Sequence, residues 1–299
     1  MSTERACPVC QGRHYTRFAD ERIDPARVGA LTYASRKPPE FMCLRLVRCH
    51  GCDLVYAPTP PSEEFLHAAY GEAAFDSGPE AMAAARTYAA ALRAHLPALA
   101  ARHGAVDVGA GSGPLLPFFQ EQGFHPAIGI EPSRAAIEAA PPAVRPLLRE
   151  GMFCRALLEG ESVSLITSFM TLEHLPDPGQ FVGTAHGLLE PGGAIALVVH
   201  DWRAPLNRLL GRRSPIIDVE HLQLFSPRAL RTLLERSGFE RIALQPIRNA
   251  YPLRYWLRLT PLPAGAKGVL LRLLERLGLA DRQLAMNVGN LLAVGFKPR

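Results

Sequence analysis

Long apolar runs are missing from this sequence. Nothing in it approaches the ~18 residues needed to span a bilayer, and the longest core-like stretch, Ala194–Val199, is strand-sized, so no transmembrane segment is expected. The opening MSTERACPVC reaches Cys7 without an apolar stretch, so no secretory signal is expected and the expected compartment is the cytoplasm. Charge of one sign is scarce too: 33 Lys and Arg against 28 Asp and Glu leave +5 over 299 residues. Basic residues are not interleaved with aromatics, so a nucleic-acid partner is not expected. Six cysteines are too few for a disulfide scaffold. No repeat recurs at a fixed period, which excludes solenoids and propellers. What is present is 48% hydrophobic and 20% charged, enough for a sizeable core and against global disorder. The length suits one large domain with an appendage.

The cysteines are unevenly placed. Cys7-Pro-Val-Cys10 and Cys49-His-Gly-Cys52 form two C-x-x-C pairs within the first 52 residues. Two such knuckles offer four thiolates to a structural Zn²⁺, with Gln11–Arg48 looping out between them. Redox or simply buried cysteines are the competing reading, but a bare dithiol needs no second pair. Cys43 and Cys154 stand outside the pairs and read as small apolar fillers. Leu54-Val-Tyr-Ala is a short strand signal ended by Pro58, Pro60 and Pro61, so residues 1–60 are expected to be a zinc-binding module.

Residues 61–103 are expected to be a helical lead-in, with an alanine-rich helix from Glu80 to about Arg102. Beyond it, strand-like runs at Ala105–Val108, Ala127–Ile130, Val163–Ser168, Ala194–His200 and Arg241–Gln245 alternate with helical patterns at Pro114–Gln122, Ser133–Ala140, Gly179–Leu189 and Pro227–Ser237. That alternation predicts an α/β, Rossmann-like parallel sheet with helices on both faces, here carrying a small N-terminal zinc-ribbon-like module.

Val106-Asp-Val-Gly-Ala-Gly-Ser-Gly113 places glycines where the first strand gives way to a helix, letting the backbone turn tightly against a ligand. Glu131 ends the next strand, where a carboxylate can accept both ribose hydroxyls. Pro114 stands where a dinucleotide fingerprint has its third glycine, and Asp107 would repel a pyrophosphate but attract an ammonium group. A nucleoside with a cationic amino-acid tail, S-adenosylmethionine, fits better than NAD.

On Asp107-Val-Gly-Ala-Gly-Ser-Gly113, Gly129-Ile-Glu131, Leu172-Glu-His-Leu-Pro-Asp177 and Leu188-Leu-Glu-Pro-Gly-Gly193 the chain resembles class I S-adenosylmethionine-dependent methyltransferases. The Leu-Glu-His-Leu segment is similar to the ubiquinone-biosynthesis O-methyltransferase branch. Cys49-x-x-Cys52-x-Leu-Val-Tyr-x-Pro with Tyr70 is similar to bacterial members that carry a zinc module in sugar or secondary-metabolite pathways. The resemblance implies a methyltransferase domain over 104–299, a small-molecule methyl acceptor, and cofactor contacts from Asp107, Gly109, Ala110, Gly111, Gly113, Glu131 and Met170. Two departures stand out: Met152-Phe-Cys154 occupies the region where relatives place an Asp near adenine, and Ser164 begins the fourth strand where many have Asp.

Methyl transfer to O, N or C is an in-line displacement helped by alignment and, for a weak acid, by a positioned base. His200 and His221 are the preferred bases because both belong above the carboxyl edge of the sheet; a hydrogen-bonded structural histidine is the alternative for each. His174 is expected to brace its turn, and Glu173 to pair locally or cap the helix entered at Asp177. A helical insertion at about 251–287 reads as a cover on the substrate cleft, a homodimer face or a membrane-interface helix, in that order. Two other functions compete with small-molecule methyl transfer: an RNA base methyltransferase, and a non-catalytic zinc-ribbon protein with a vestigial nucleoside pocket.

Overall fold

A computed structural model describes residues 4–29, 32–33, 39–72 and 78–299. The first three residues, part of the stretch read for a leader, and segments 30–31 and 34–38 of the loop between the knuckles lie outside these. In chain order, β1 (Tyr15–Ala19), β2 (Leu46–Cys49) and β3 (Val55–Tyr56) are followed by α1 (Glu63–Gly71) and α2 (Gly78–Arg93). The helix expected to run to Arg102 ends early because Pro97 lies in the next turn and cannot donate to it. Then come β4 (Gly104–Val108), α3 (Leu116–Glu121), β5 (Ala127–Glu131), α4 (Arg134–Glu138), β6 (Leu148–Glu150) and β7 (Val163–Phe169). The chain continues through α5 (Pro178–Leu188), β8 (Leu189–His200), α6 (Pro205–Leu210), β9 (Gln223–Leu224) and α7 (Pro227–Arg236). It closes with β10 (Glu240–Pro252), α8 (Leu253–Leu259), α9 (Ala264–Arg276) and β11 (Gln283–Phe296).

Helix starts follow local chemistry. Ser62, Ser133, Asp177 and Ser226 each accept a backbone N–H of the first turn they precede, and Pro178 and Pro227 occupy first helical positions that need no donor. The cap of α5 is thus Asp177 itself; Glu173, expected to pair locally or cap there, does something else.

The large sheet runs β10-β11-β8-β7-β4-β5-β6. The β7, β8, β4, β5 and β6 neighbours pair in parallel, and β11 runs antiparallel to both β8 and β10. The five strands from β8 to β6 are the expected parallel Rossmann-like sheet, and β10 and β11 make it a mixed one; strand order reverses beside β4, where open α/β sheets bind ligands at strand C-termini. One face packs on α5 and α7, through Phe181, Val182, Leu230 and Leu233; the other packs on α2 and α3, through Tyr88, Leu92, Phe118 and Phe119.

A second, antiparallel sheet runs β1-β2-β3-β9. Three of its strands, β1, β2 and β3, come from the cysteine-bearing segment, whereas the edge strand β9 lies between β8 and α7 in the chain, and Val55 and Tyr56 pair with Leu224 and Gln223. Cys7, Cys49, Cys52 and Leu54 share a buried cluster with Phe225, Ala229 and Leu230. Asp53 ties the seam: its carboxylate takes Arg203 Nε at 2.9 Å and Nη2 at 2.6 Å, and its carbonyl accepts Trp202 Nε1 at 3.1 Å.

The β10–β11 ladder runs on to Pro252 opposite Gln283, so the helices lie between those two residues and the ends of the anticipated insertion are strand. α8 buries Tyr255 and Trp256, whereas Val269, Leu273 and Leu277 along α9 are exposed. Among the described residues no helix is long and apolar enough to cross a membrane.

Candidate functional site

A cleft of about 1090 Å³ opens along the C-terminal edge of the large sheet and reaches from the glycine turn after β4 to the end of β8. At one end, Gly109, Gly111 and Gly113 all have positive φ (75°, 56° and 71°). A Cβ on Gly109 would fall 2.2 Å from Thr171 Oγ1, and one on Gly113 2.6 Å from Val144 Cγ1, so both conformation and space require glycine. Glu131, at the end of β5, accepts Gly111 N–H at 2.8 Å with one oxygen and Ser133 N–H at 2.8 Å with the other. The carboxylate that would bind a ribose therefore also fixes the turn beside it.

Asp107 is buried at the end of β4, and Thr167 Oγ1 donates to it at 2.6 Å. Burial pushes its carboxyl up to about 7, with Glu131 adding to the rise and the Thr167 hydroxyl opposing it. Glu131 is also raised by burial, against the two amides it accepts. Among the described residues neither carboxyl meets a cation. Two buried acids without a counter-charge, beside an open backbone turn, fit a nucleoside with an ammonium-bearing tail. Ala110 and Met170 complete this end; Met170 has a left-handed φ of 58° and donates its N–H to Val198 O at 2.7 Å. Met152, Phe153 and Cys154 also line the cleft.

The other end gathers three imidazoles from different elements. His200 closes β8, His221 precedes β9 and His174 lies in the turn after β7; the ring centroids of His200 and His221 are 5.3 Å apart, those of His174 and His221 4.9 Å. His221 Nδ1 lies 2.8 Å from the Ile216 carbonyl, which can only accept, so that nitrogen carries the proton and Nε2 holds the lone pair in the neutral ring. His174 Nδ1 lies 3.2 Å from both Tyr70 Oη and the Glu220 carbonyl, and holds the turn to α1. Glu173, with no exposed surface, accepts the His200 backbone N–H at 2.6 Å, binding the turn after β7 to the end of β8. Burial pushes Glu173 up to about 7, partly offset by that amide.

Over residues 81–244, more than half of the chain, the sequence matches the family described as methyltransferase domain. The chain belongs to that family. Among curated proteins it is similar to an uncharacterised methyltransferase of Mycobacterium leprae, 32% identical over 107 residues that cover 34% of this chain and 39% of that protein. It is also similar to one of Mycobacterium bovis, 34% identical over 107 residues covering 34% and 41%. The chain thus spans about two fifths of the length of these relatives. Among solved structures it is similar to a SAM-dependent methyltransferase from Archaeoglobus fulgidus, with a TM-score of 0.48 and 16% identity over 79% of this chain and all of that one.

Away from the methyltransferase cleft, the four paired cysteines converge. Cys7 and Cys52 sulfurs lie 3.5 Å apart, those of Cys10 and Cys49 3.4 Å, and all four fall within 4.8 Å of one another. A tetrahedral Zn²⁺ with bonds of about 2.3 Å needs sulfur–sulfur edges of about 3.8 Å, which this set meets with small shifts.

Sequence reasoning missed Tyr70 as a histidine partner, and it missed Asn249 on β10 and Asn290 on β11, both buried and lining the cleft. The one signal was a polar residue entering an otherwise apolar strand: Asn290, Leu292 and Val294 share a face.

Proposed function

We propose that this chain transfers a methyl group from S-adenosylmethionine to a small-molecule acceptor seated at the histidine end of the cleft, with Cys7, Cys10, Cys49 and Cys52 holding a structural zinc. The observation that carries the reading is continuity: one cleft joins the glycine turn and its two uncompensated acids to His200 and His221. When bound, the cofactor supplies a methyl group on a sulfonium. Glu131 would take the ribose hydroxyls, Asp107 the ammonium tail, and the Gly109–Gly113 backbone would pass close beneath both. His221 Nε2, its tautomer set by the Ile216 carbonyl, would accept a proton from the acceptor, with the His200 ring packed edge-on beside it. The walls from α2 and α8, with Tyr88 and Trp256, exclude water from the transfer.

Calorimetry with S-adenosylhomocysteine tests the cofactor half: Glu131→Ala should weaken binding roughly 10- to 100-fold, corresponding to about 1–3 kcal/mol for unpaired donors. Unchanged affinity would sink the assignment. For the acceptor half, a labelled-methyl screen over phenols, sugars and amines supplies a substrate. His221→Ala or His200→Ala should then lower turnover roughly 10²–10⁴-fold with cofactor affinity kept. Normal turnover in both would remove them as bases.

A further inference from the structure

Two buried amides face the acceptor end of the cleft. Asn290 on β11 pairs in register with His200 on β8, so the two side chains leave the same face of the sheet side by side. Asn249 lies one strand over, past the shift in the β10–β11 ladder, in line with Ile247 and Tyr251. Both are 3% exposed and both line the cleft. Asn290 Nδ2 donates to Tyr88 Oη at 3.4 Å, but the Oδ1 atoms of Asn249 and Asn290 have no hydrogen-bond partner among the described residues. A buried amide oxygen left unpaired is destabilising, and buried polar groups are otherwise almost always satisfied. Turning a carboxamide about its last torsion exchanges oxygen and nitrogen at nearly the same shape, so each group can offer the cleft an acceptor or a pair of donors.

Charge narrows what those amides meet. Arg155, on the Met152–Arg155 segment, is the only Lys or Arg among the described residues lining the cleft. The histidine end adds Asp218 and Glu220, and these repel anions. Among the described residues that end offers a phosphate or carboxylate no Lys or Arg in exchange for its water, whereas a hydroxyl both donates and accepts and suits a carboxamide in either orientation.

We infer that Asn249 and Asn290 read the methyl acceptor, and that the acceptor is a neutral molecule carrying at least two hydroxyls. The inference rests on the methyl-transfer reading above. With His200 beside Asn290, one hydroxyl held by an amide presents a neighbouring hydroxyl to the imidazoles.

The test uses the full chain saturated with S-adenosylhomocysteine and saturation-transfer NMR on matched probes: methyl glucoside against glucose 6-phosphate, and catechol against 3,4-dihydroxybenzoate. Each neutral probe should bind at least tenfold more tightly than its anionic partner. Asn249→Leu and Asn290→Leu should each weaken the neutral probes at least tenfold, leave S-adenosylhomocysteine affinity within twofold, and keep or raise the melting temperature, because they remove a polar atom that folding leaves unpaired. Tighter anionic probes, no binding by either neutral probe, or Leu variants that melt earlier with probe affinity intact would each overturn the inference. A chain that fails to bind S-adenosylhomocysteine at all fails the methyl-transfer reading instead, and calorimetry on the unvaried protein separates the two.

Discussion

Glu173 has no exposed surface, one of its oxygens accepts the His200 amide, and the other has no partner among the described residues. Burial raises its carboxyl from 4.5 to about 7, so between those values the folded chain holds a proton that the unfolded chain has released. Stability from this group is therefore highest at low pH and falls as pH rises through the window, by roughly 3 kcal/mol in full. Asp107, raised from 3.8 to about 7, adds to the same slope. Glu173→Gln keeps an oxygen for the His200 amide and cannot ionise. It should match the wild-type melting temperature near pH 5 and exceed it at pH 8; parallel melting curves against pH would refute the burial argument. The type and spacing of Glu131 and the glycines made them legible in the sequence, because a tight backbone approach needs those residues in that order. Glu173 was not, since its carboxylate is engaged by a backbone amide on another strand.

The element with most influence for its size is β9. Two residues long, it completes the sheet of the cysteine module, while the segment before it carries His221 and takes a backbone bond from Leu222 N–H to the Glu173 carbonyl at 2.9 Å. If the four thiolates hold zinc, stripping the metal should release this segment together with the module, because β3 is the strand that β9 pairs with among the described residues. Hydrogen exchange after chelation should show residues 4–29, 42–57 and 216–225 losing protection as one group, with β4, β5 and β7 unchanged. Retained protection at 216–225 would show that the main body alone holds that segment. Neither the β3–β9 pairing nor its consequence could be read from sequence. A two-residue strand has no alternation to detect, and its partner lies far along the chain.

At the scale of the whole molecule the two halves of the cleft have different supports. The end proposed for the cofactor stands on β4 and β5 in the centre of the parallel sheet, whereas the end proposed for the acceptor is assembled from β8, β11, α8 and the module-linked His221 segment. If the four thiolates hold zinc, its removal should therefore leave S-adenosylhomocysteine affinity within about threefold while methyl transfer falls by at least tenfold; calorimetry and a labelled-methyl assay on the same chelated sample read both. Equal loss of the two would mean that the module supports the central sheet as well. The sequence by itself determined the sheet, the glycine turn with Asp107 and Glu131, and the paired cysteines, because each is set by local periodicity or by residue types at short spacing. Only the tertiary structure decided which histidines meet, that Asn290 stands beside His200 and Asn249 lines the same cleft, both with oxygens unpaired among the described residues, and that a strand from beyond β8 completes the module sheet. Those outcomes depend on contacts between distant segments, whose partners are chosen by packing and by the burial of polar groups rather than by any pattern along the chain.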